Sequence, residues 1–412
     1  MNIFKILYCR AFQQALHLAI PFLPYRKPVL LENEMDGIRA LEKNHIQRVM
    51  LVTDQGVRRL GLTESLEQCL KENGIDLVVY DKTVANPTIR QVEEARALYL
   101  STGCQGLIGF GGGSSMDCAK AVGARIARPG KPLKKMKGIL KVGKKLPVLI
   151  AVPTTAGTGS ETTLAAVITD DETRLKYPIN DFPLIPRYAL LDPKVTRSLP
   201  PFLTATTGMD ALTHAVEAYI GKSTTRETRR DSIEAVRLIL KNIRRVWEDG
   251  EDLAARKEML YGAYLAGCSF TKSYVGYVHA VAHSLGGKYN TPHGLANAVL
   301  LPYVLRAYGS CIHKKLRDLA AGAGLCPPQT DPQTGSRRFI EEIEDLQTEL
   351  GIGNKLSGIR REDIPYLAEI AEKEANPLYP VPRLMDKKEL EGFYEMVMKQ
   401  DDRSSGKGGS PA

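Results

Sequence analysis

Short, unbroken apolar runs recur through the first half of this chain and stop after about residue 200. They fall at 48–54, 75–81, 106–110, 146–152 and 188–192, with helical patterns at 63–73 and 88–102 between them. Strands buried on both faces read this way, because parallel strands joined by helical crossovers are covered above and below. Beyond the change, 204–219, 225–248, 252–269, 294–308, 312–323, 338–350, 361–374 and 387–399 all read as helices. Gly, Pro or Asn marks the breaks between them, as helix ends require. The expectation is α/β plus all-α: a mostly parallel sheet domain at 30–198, then a helical domain at 199–402. Residues 1–29 form an extension helix before the first domain, and the small, polar tail 403–412 is expected to be disordered. At 412 residues the chain can bury two full cores.

A hydrophobic share of 43% and a charged share of 25% fit a soluble globular protein. Much of the formal charge of +9 comes from Lys131, Lys134, Lys135, Lys137, Lys141, Lys144 and Lys145. No aromatic side chain interleaves with them, so a base-stacking platform is missing and no nucleic-acid partner is expected. The stretch reads as a solvated linker or a phosphate-steering patch. Seven scattered cysteines without a C-x-x-C pair give neither a disulfide framework nor a thiolate zinc site, which fits a reducing cytoplasm. The apolar segment 3–23 is broken by Lys5, Arg10, Gln13, Gln14 and His17 and ends in Pro21 and Pro24. A spanning helix wants about 20 mostly apolar residues. A packing helix without stable membrane insertion is expected, with peripheral membrane contact as the alternative.

Asp210, His214, His279, His283 and His293 fall in two blocks, GMDALTHAVEAYIG and HAVAHSLGGKYNTPHG. On a helix, residues four apart share one face, which pairs Asp210 with His214 and His279 with His283. The Gly/Asn/Pro stretch after His283 lets His293 fold back. A lone Asp-x-x-x-His is an ordinary helix pair; two such blocks and a fifth candidate read as a metal site. Imidazoles with a carboxylate suit Zn²⁺ or Fe²⁺.

Two loops follow apolar runs in the first half. Gly111-Gly112-Gly113-Ser114 opens a helical pattern, so its N–H groups and the helix N-terminus can receive a phosphate. The plainer reading is a tight strand-to-helix turn. PTTAGTGSETT, from Pro153 to Thr163, is dense in hydroxyls that can bond a cofactor or merely cap a helix. Asp54 ends the first run, where a carboxylate either bonds a ribose hydroxyl and repels a 2′-phosphate or serves as a plain N-cap.

These motifs resemble the iron-containing (group III) alcohol dehydrogenases, which share the dehydroquinate-synthase-like fold. The resemblance runs through GGGSSMDCAK, AVPTTAGTGSET, GMDALTHAVEAYI, YVGYVHAVAHSLGGKYNTPHGLANAVLLP and NPLYPVP, and covers most of 30–400. It implies a Rossmann-like NAD(H) domain, a helical metal-binding domain, and interconversion of a small primary alcohol or diol with its aldehyde. The implied metal ligands are Asp210, His214, His279 and His293, with Fe²⁺ favoured and Zn²⁺ possible, and His283 is left beside substrate and nicotinamide as the catalytic residue. The implied cofactor contacts are Asp54, Asn86, Gly112, Gly113, Ser114, Asp117, Thr154, Thr155, Thr158 and Lys176. Ser115-Met116 departs from a pattern in which many members carry proline at the first position. A cytoplasmic homo-oligomer, a dimer, is the implied assembly. A lyase or cyclase on the same fold and a non-catalytic NAD- or metal-binding protein are the rival classes.

Overall fold

The computed structural model describes residues 1–173 and 175–399, so the tail expected at 403–412 lies outside the described residues. Its strands are β1 (Val29–Leu31), β2 (Arg48–Val52), β3 (Asp76–Tyr80), β4 (Gly106–Gly111), β5 (Gly138–Ile139), β6 (Val148–Pro153), β7 (Ala165–Thr169), β8 (Lys176–Asn180) and β9 (Tyr188–Leu190). Helices of the first half are α1 (Ile3–Ala19), α2 (Glu34–Lys43), α3 (Gln55–Arg59), α4 (Glu64–Glu72), α5 (Ile89–Ser101) and α6 (Gly113–Ala127). Those of the second half are α7 (Pro201–Ile220), α8 (Arg226–Glu248), α9 (Leu253–Ser273), α10 (Tyr277–Tyr289), α11 (His293–Tyr308), α12 (His313–Gly322), α13 (Pro332–Glu349), α14 (Ile364–Ala375) and α15 (Lys387–Val397).

Six strands form one parallel sheet in the order β1-β9-β6-β4-β2-β3. Along β2 the side chains alternate between two apolar layers: Met50 and Val52 enter one, Val49 and Leu51 the other. That double coverage is why these runs are continuously apolar. The helical half has one large core, drawn mostly from α7 to α15 and joined by Cys9 of α1 and by Ala189 and Leu191 at the end of β9. In α8 the buried Ala235, Val236, Ile239, Leu240, Ile243 and Val246 recur at three- and four-residue steps, one face of a 3.6-residue helix. Thr225 and Thr228 close its N-terminus with a reciprocal capping box.

Several short elements depart from the sequence expectation. A second sheet, β5-β8-β7, stands beside the first; β7 and β8 pair antiparallel and alternate in burial, so neither gives a continuous apolar run. Strand β1 and helices α2 and α3 add to the first half. Helix α1 packs on the helical half through Cys9 and Gln13, with Ile6 partly buried against the core, whereas Phe4, Tyr8 and Leu18 are exposed, as is Phe22 just beyond it. Its N-terminal ammonium meets Asp386 (2.8 Å) and Lys5 meets Glu372 (2.7 Å). Among the described residues one helical stretch, His293–Gly322, is apolar and long enough to cross a membrane, and 61% of its most apolar window is buried in the fold.

Candidate active site

The sheet reverses at β2, which has β3 on one flank and β4 on the other. Loops leaving the two sides of such a reversal diverge, opening a crevice beyond the C-terminal ends of the strands. A cavity of about 570 Å³ lies there, walled by residues 54–56 after β2, 81–85 after β3 and 112–115 after β4. Gly111 turns the chain at φ 143°, and a Cβ there would fall 2.7 Å from Ser115 Oγ, so only glycine lets α6 start this close to β4. No side chain caps the N-terminus of α6, which leaves its first N–H groups for an anion.

Asp54 is the N-cap that the sequence allowed. Its Oδ1 accepts from Val57 N–H (3.0 Å) and caps α3, while Oδ2 accepts from Ser115 Oγ (3.2 Å). The cap fixes a carboxylate that still lines the cavity. Asn86 takes a left-handed φ of 60°, and its N–H donates to Ser114 Oγ (3.1 Å). A capping box between Thr88 and Gln91 anchors that segment to α5.

The hydroxyl-rich loop joins this crevice to the helical half. Thr154 N–H bonds Gly111 O (3.0 Å), and Thr158 lies against Gly113. Thr155 Oγ1 is buried with no partner among the described residues. On the other side, a Cβ on Gly157 would fall 2.6 Å from Thr207 Cβ, three residues before Asp210. Underneath, the fully buried Lys120 donates to Ser160 Oγ, Thr163 Oγ1 and the carbonyls of Thr163 and Ala165 at 2.8–3.1 Å. Burial pushes its ammonium down to about 8. Asp117 and Lys176 do not line the cavity. Asp117 accepts from Ser160 Oγ (2.7 Å) and Val167 N–H (3.0 Å), which ties the loop down. Lys176 is exposed, opposite Thr169, whose N–H bonds Pro87 O beside Asn86.

Asp210 and His214 on α7, His279 on α10 and His293 at the start of α11 converge, with one donor atom of each inside 4.8 Å of the others. Asp210 Oδ1 stands 3.5 Å from His293 Nε2 and 4.0 Å from His279 Nε2. Bonds of about 2.0–2.2 Å hold ligand atoms at most about 4.4 Å apart, so a contraction of a few tenths of an ångström admits an ion. His279 Nε2 and His214 Nδ1 are buried and unpartnered among the described residues. Burial pulls His214 down to about 4 and also lowers His279 and His293, so the rings stay neutral with lone pairs to give. The donor set fits a divalent metal.

His283 is outside the four-residue cluster. Its ring stacks on His293 (centroids 5.2 Å apart, planes at 18°), and its Nδ1 donates to Glu374 Oε1 (2.6 Å). The His283 ring keeps an exposed face; desolvation on its packed side opposes protonation, but the Glu374 carboxylate outweighs it and raises His283.

Sequence reading missed the groups that hold the cluster in place. Glu217 Oε2 accepts from His279 Nδ1 (2.6 Å) and Gly276 N–H (2.8 Å), and Oε1 from Val278 N–H (2.9 Å). This bond fixes the His279 tautomer and aims Nε2 inward. Burial lifts the Glu217 carboxyl to about 7. Asn297 Nδ2 donates to Asp210 Oδ1 (2.7 Å) and lies 3.0 Å from His293 Nε2. Both were detectable by helical register, Glu217 three residues after His214 and Asn297 four after His293. Phe270 on α9 stacks on His214 (4.1 Å, 14°).

A doubly wound parallel sheet with a crevice at its reversal, joined to helices that hold three imidazoles and a carboxylate, has the parts of a metal- and dinucleotide-dependent enzyme. Residues 30–193 match the model for iron-containing alcohol dehydrogenase, and 204–398 match that for the C-terminal part of the Fe-containing alcohol dehydrogenase family. A 1,3-propanediol dehydrogenase from Citrobacter freundii is 38% identical over 355 residues, 85% of this chain and 91% of that protein. A lactaldehyde reductase from Escherichia coli K12 is 36% identical over 334 residues, 80% of this chain and 87% of that protein. A crystal structure of a 1,3-propanediol oxidoreductase superposes with a TM-score of 0.86 at 35% identity, covering 91% of this chain and 99% of that one. A sulfoacetaldehyde reductase from Bifidobacterium kashiwanohense, solved with NAD⁺, superposes with a TM-score of 0.81 at 26% identity, covering 92% of this chain and 99% of that one. The chain belongs to the iron-containing alcohol dehydrogenase family. Its fold is that of the family's solved structures, and it is an NAD(H)- and metal-dependent enzyme acting on alcohols.

Proposed function

We propose that the protein interconverts a small primary alcohol or diol and its aldehyde in a cleft between a sheet unit, 30–198, and a helical unit, 199–402. The convergence of Asp210, His214, His279 and His293 beside the loop that reaches over from the sheet carries this reading. In it these four residues hold one divalent metal, Fe²⁺ by family and Zn²⁺ wherever cellular supply favours it. A metal held by these residues would supply Lewis acidity at the substrate oxygen, and a nicotinamide held in the crevice would supply the hydride donor or acceptor.

The chain's own residues do the rest. Gly112, Gly113 and Ser114 receive the pyrophosphate at the start of α6, while Asp54 and Asn86 face the adenosine side. Thr154, Thr155 and Thr158 line the passage toward the metal, Asp117 acts through the loop it ties down, and Lys176, exposed on the flank, would have to swing in to meet the cofactor. His283 takes the substrate hydroxyl proton at its free Nε2 and exchanges it with solvent, while the Glu374 carboxylate on Nδ1 stabilises the charged ring. The 1,3-propanediol and lactaldehyde activities named for the relatives support a short, hydroxylated substrate. A cytoplasmic setting fits the seven free cysteines, and a dimer fits the exposed apolar side of α1.

Protein loaded anaerobically with Fe²⁺ or Zn²⁺ should oxidise NADH in step with reduction of 3-hydroxypropanal or lactaldehyde. No aldehyde-dependent NADH loss across a panel of short aldehydes, with either metal, would overturn the proposal. Cofactor choice has its own test. Asp54→Asn keeps an N-cap oxygen but removes the charge that repels a 2′-phosphate. We expect kcat/KM for NADPH relative to NADH to rise about tenfold or more, a change of about 1.4 kcal/mol. An unchanged ratio would show that Asp54 does not face the ribose.

A further inference from the structure

Helix α1 lies before residue 30, where the family match begins, yet it is connected to the metal centre by an unbroken series of contacts. On its inner side Gln13 is only 4% exposed, and its Nε2 donates to the carbonyls of Pro377 (3.2 Å) and Tyr379 (2.7 Å). Arg10 donates to Val381 O (2.8 Å) and Pro382 O (3.0 Å), and also to Gln13 Oε1 (2.8 Å), which orients the amide. Four carbonyls of the turn after α14 are therefore held by two side chains of α1. That turn carries Tyr379, whose OH donates to Glu374 Oε1 (2.7 Å), the same oxygen that accepts from His283 Nδ1 (2.6 Å). His283 in turn stacks on His293.

Placing an amide and a partly buried guanidinium beside Cys9 and Ile6 on the inner side of a helix, while Phe4 and Tyr8 face outward, runs against what hydrophobic burial favours. Such an arrangement persists because the turn's carbonyls would otherwise lack donors in a dry interface. The turn has other moorings: Lys222 N–H bonds Pro380 O (2.6 Å), and Tyr277 OH bonds Asn376 Oδ1 (3.0 Å). Loss of α1 therefore loosens the turn without unmaking the fold.

We propose that α1 is a positioning element of the active site: Gln13 and Arg10 set the turn that places Tyr379, Tyr379 and His283 share Glu374 Oε1, and Glu374 holds the His283 ring over His293. Gln13, Arg10 and Tyr379 act through other residues and touch no reacting atom. The proposal rests on the alcohol dehydrogenase reading for its kinetic consequence but not for its structural one.

The test compares the full chain with a form lacking residues 2–22, with Gln13→Leu, which keeps the helix, and with Tyr379→Phe. We expect kcat to fall about tenfold in each, since small misplacements far from the chemistry are costly, with metal content and NADH affinity close to those of the parent and a melting temperature lowered in line with the lost hydrogen bonds and packing. Combining Gln13→Leu with Tyr379→Phe should cost no more than either alone, because both break one series of contacts. In Zn²⁺-loaded protein labelled with ¹⁵N-histidine, the His283 Nδ1 proton should lie far downfield in the parent and move upfield in all three variants. Unchanged kcat and an unchanged His283 signal would overturn the proposal, as would multiplied losses in the double variant. A kinetic defect accompanied by metal loss in Gln13→Leu would assign α1 to general stability instead. If the parent reduces no aldehyde, the His283 signal alone still decides the structural claim.

Discussion

Replacing His279 by alanine should strip the bound metal and reduce turnover by about three orders of magnitude or more, while NADH still binds. Lewis acidity at a substrate oxygen contributes several kcal/mol, and each 1.4 kcal/mol is a factor of ten in rate. His279 is the sharpest place to test the cluster because its two nitrogens are fully assigned. Nδ1 is taken by Glu217, and Nε2 is buried without a partner among the described residues. The cofactor crevice lies beyond β2, β3 and β4, on other elements, so dinucleotide binding should survive. The variant leaves Glu217 bonded to Gly276 and Val278 but short of its imidazole, at a cost of about 1–3 kcal/mol. A second readout follows from linkage: metal at a hundredfold excess over its Kd should stabilise the parent by about 2.7 kcal/mol and the variant not at all. Full metal occupancy in His279→Ala would refute the ligand assignment. Unfolding without any metal dependence in the parent would make these histidines structural.

What the sequence disclosed follows the range over which each signal acts. The run 106–110 was legible because every residue of β4 is buried, and a strand covered on both faces must be apolar throughout. Pairs such as Asp210 and His214 were legible because helical spacing alone puts them on one face. Asp54 resisted, since the familiar dinucleotide order places the carboxylate about 20 residues after the glycines. Here the glycine loop follows β4 and Asp54 follows β2, and β2 pairs directly with β4, so the two meet despite their order in the chain. Glu374 could not be found at all: it lies 91 residues beyond His283, on a helix whose own pattern reports only its packing. Helix α1 looked like an interrupted apolar segment because the interruptions, Arg10 and Gln13, are the residues that dock.

His283→Ala should separate a proton-handling residue from a ligand, retaining the metal and losing turnover by about 10²–10⁴-fold, the usual worth of general acid–base help. Metal retention is expected because Asp210, His214, His279 and His293 already close the cluster without it. Alanine also removes a ring that stacks on His293, so loosened packing could imitate a catalytic loss. His283→Phe resolves this, since it restores an aromatic face over His293 while lacking both nitrogens. Matching losses in the two variants, with metal analysis unchanged, would place the effect on the ring nitrogens that lie between the substrate and Glu374. Recovery of turnover in the phenylalanine variant would reduce His283 to packing. Loss of metal from both would make it a ligand and force one of the four others out of the set. Because Glu374 already occupies Nδ1, Nε2 is the atom left to meet the substrate, and the Glu374 carboxylate, held below its usual range beside this ring, stabilises the imidazolium formed when a proton arrives there.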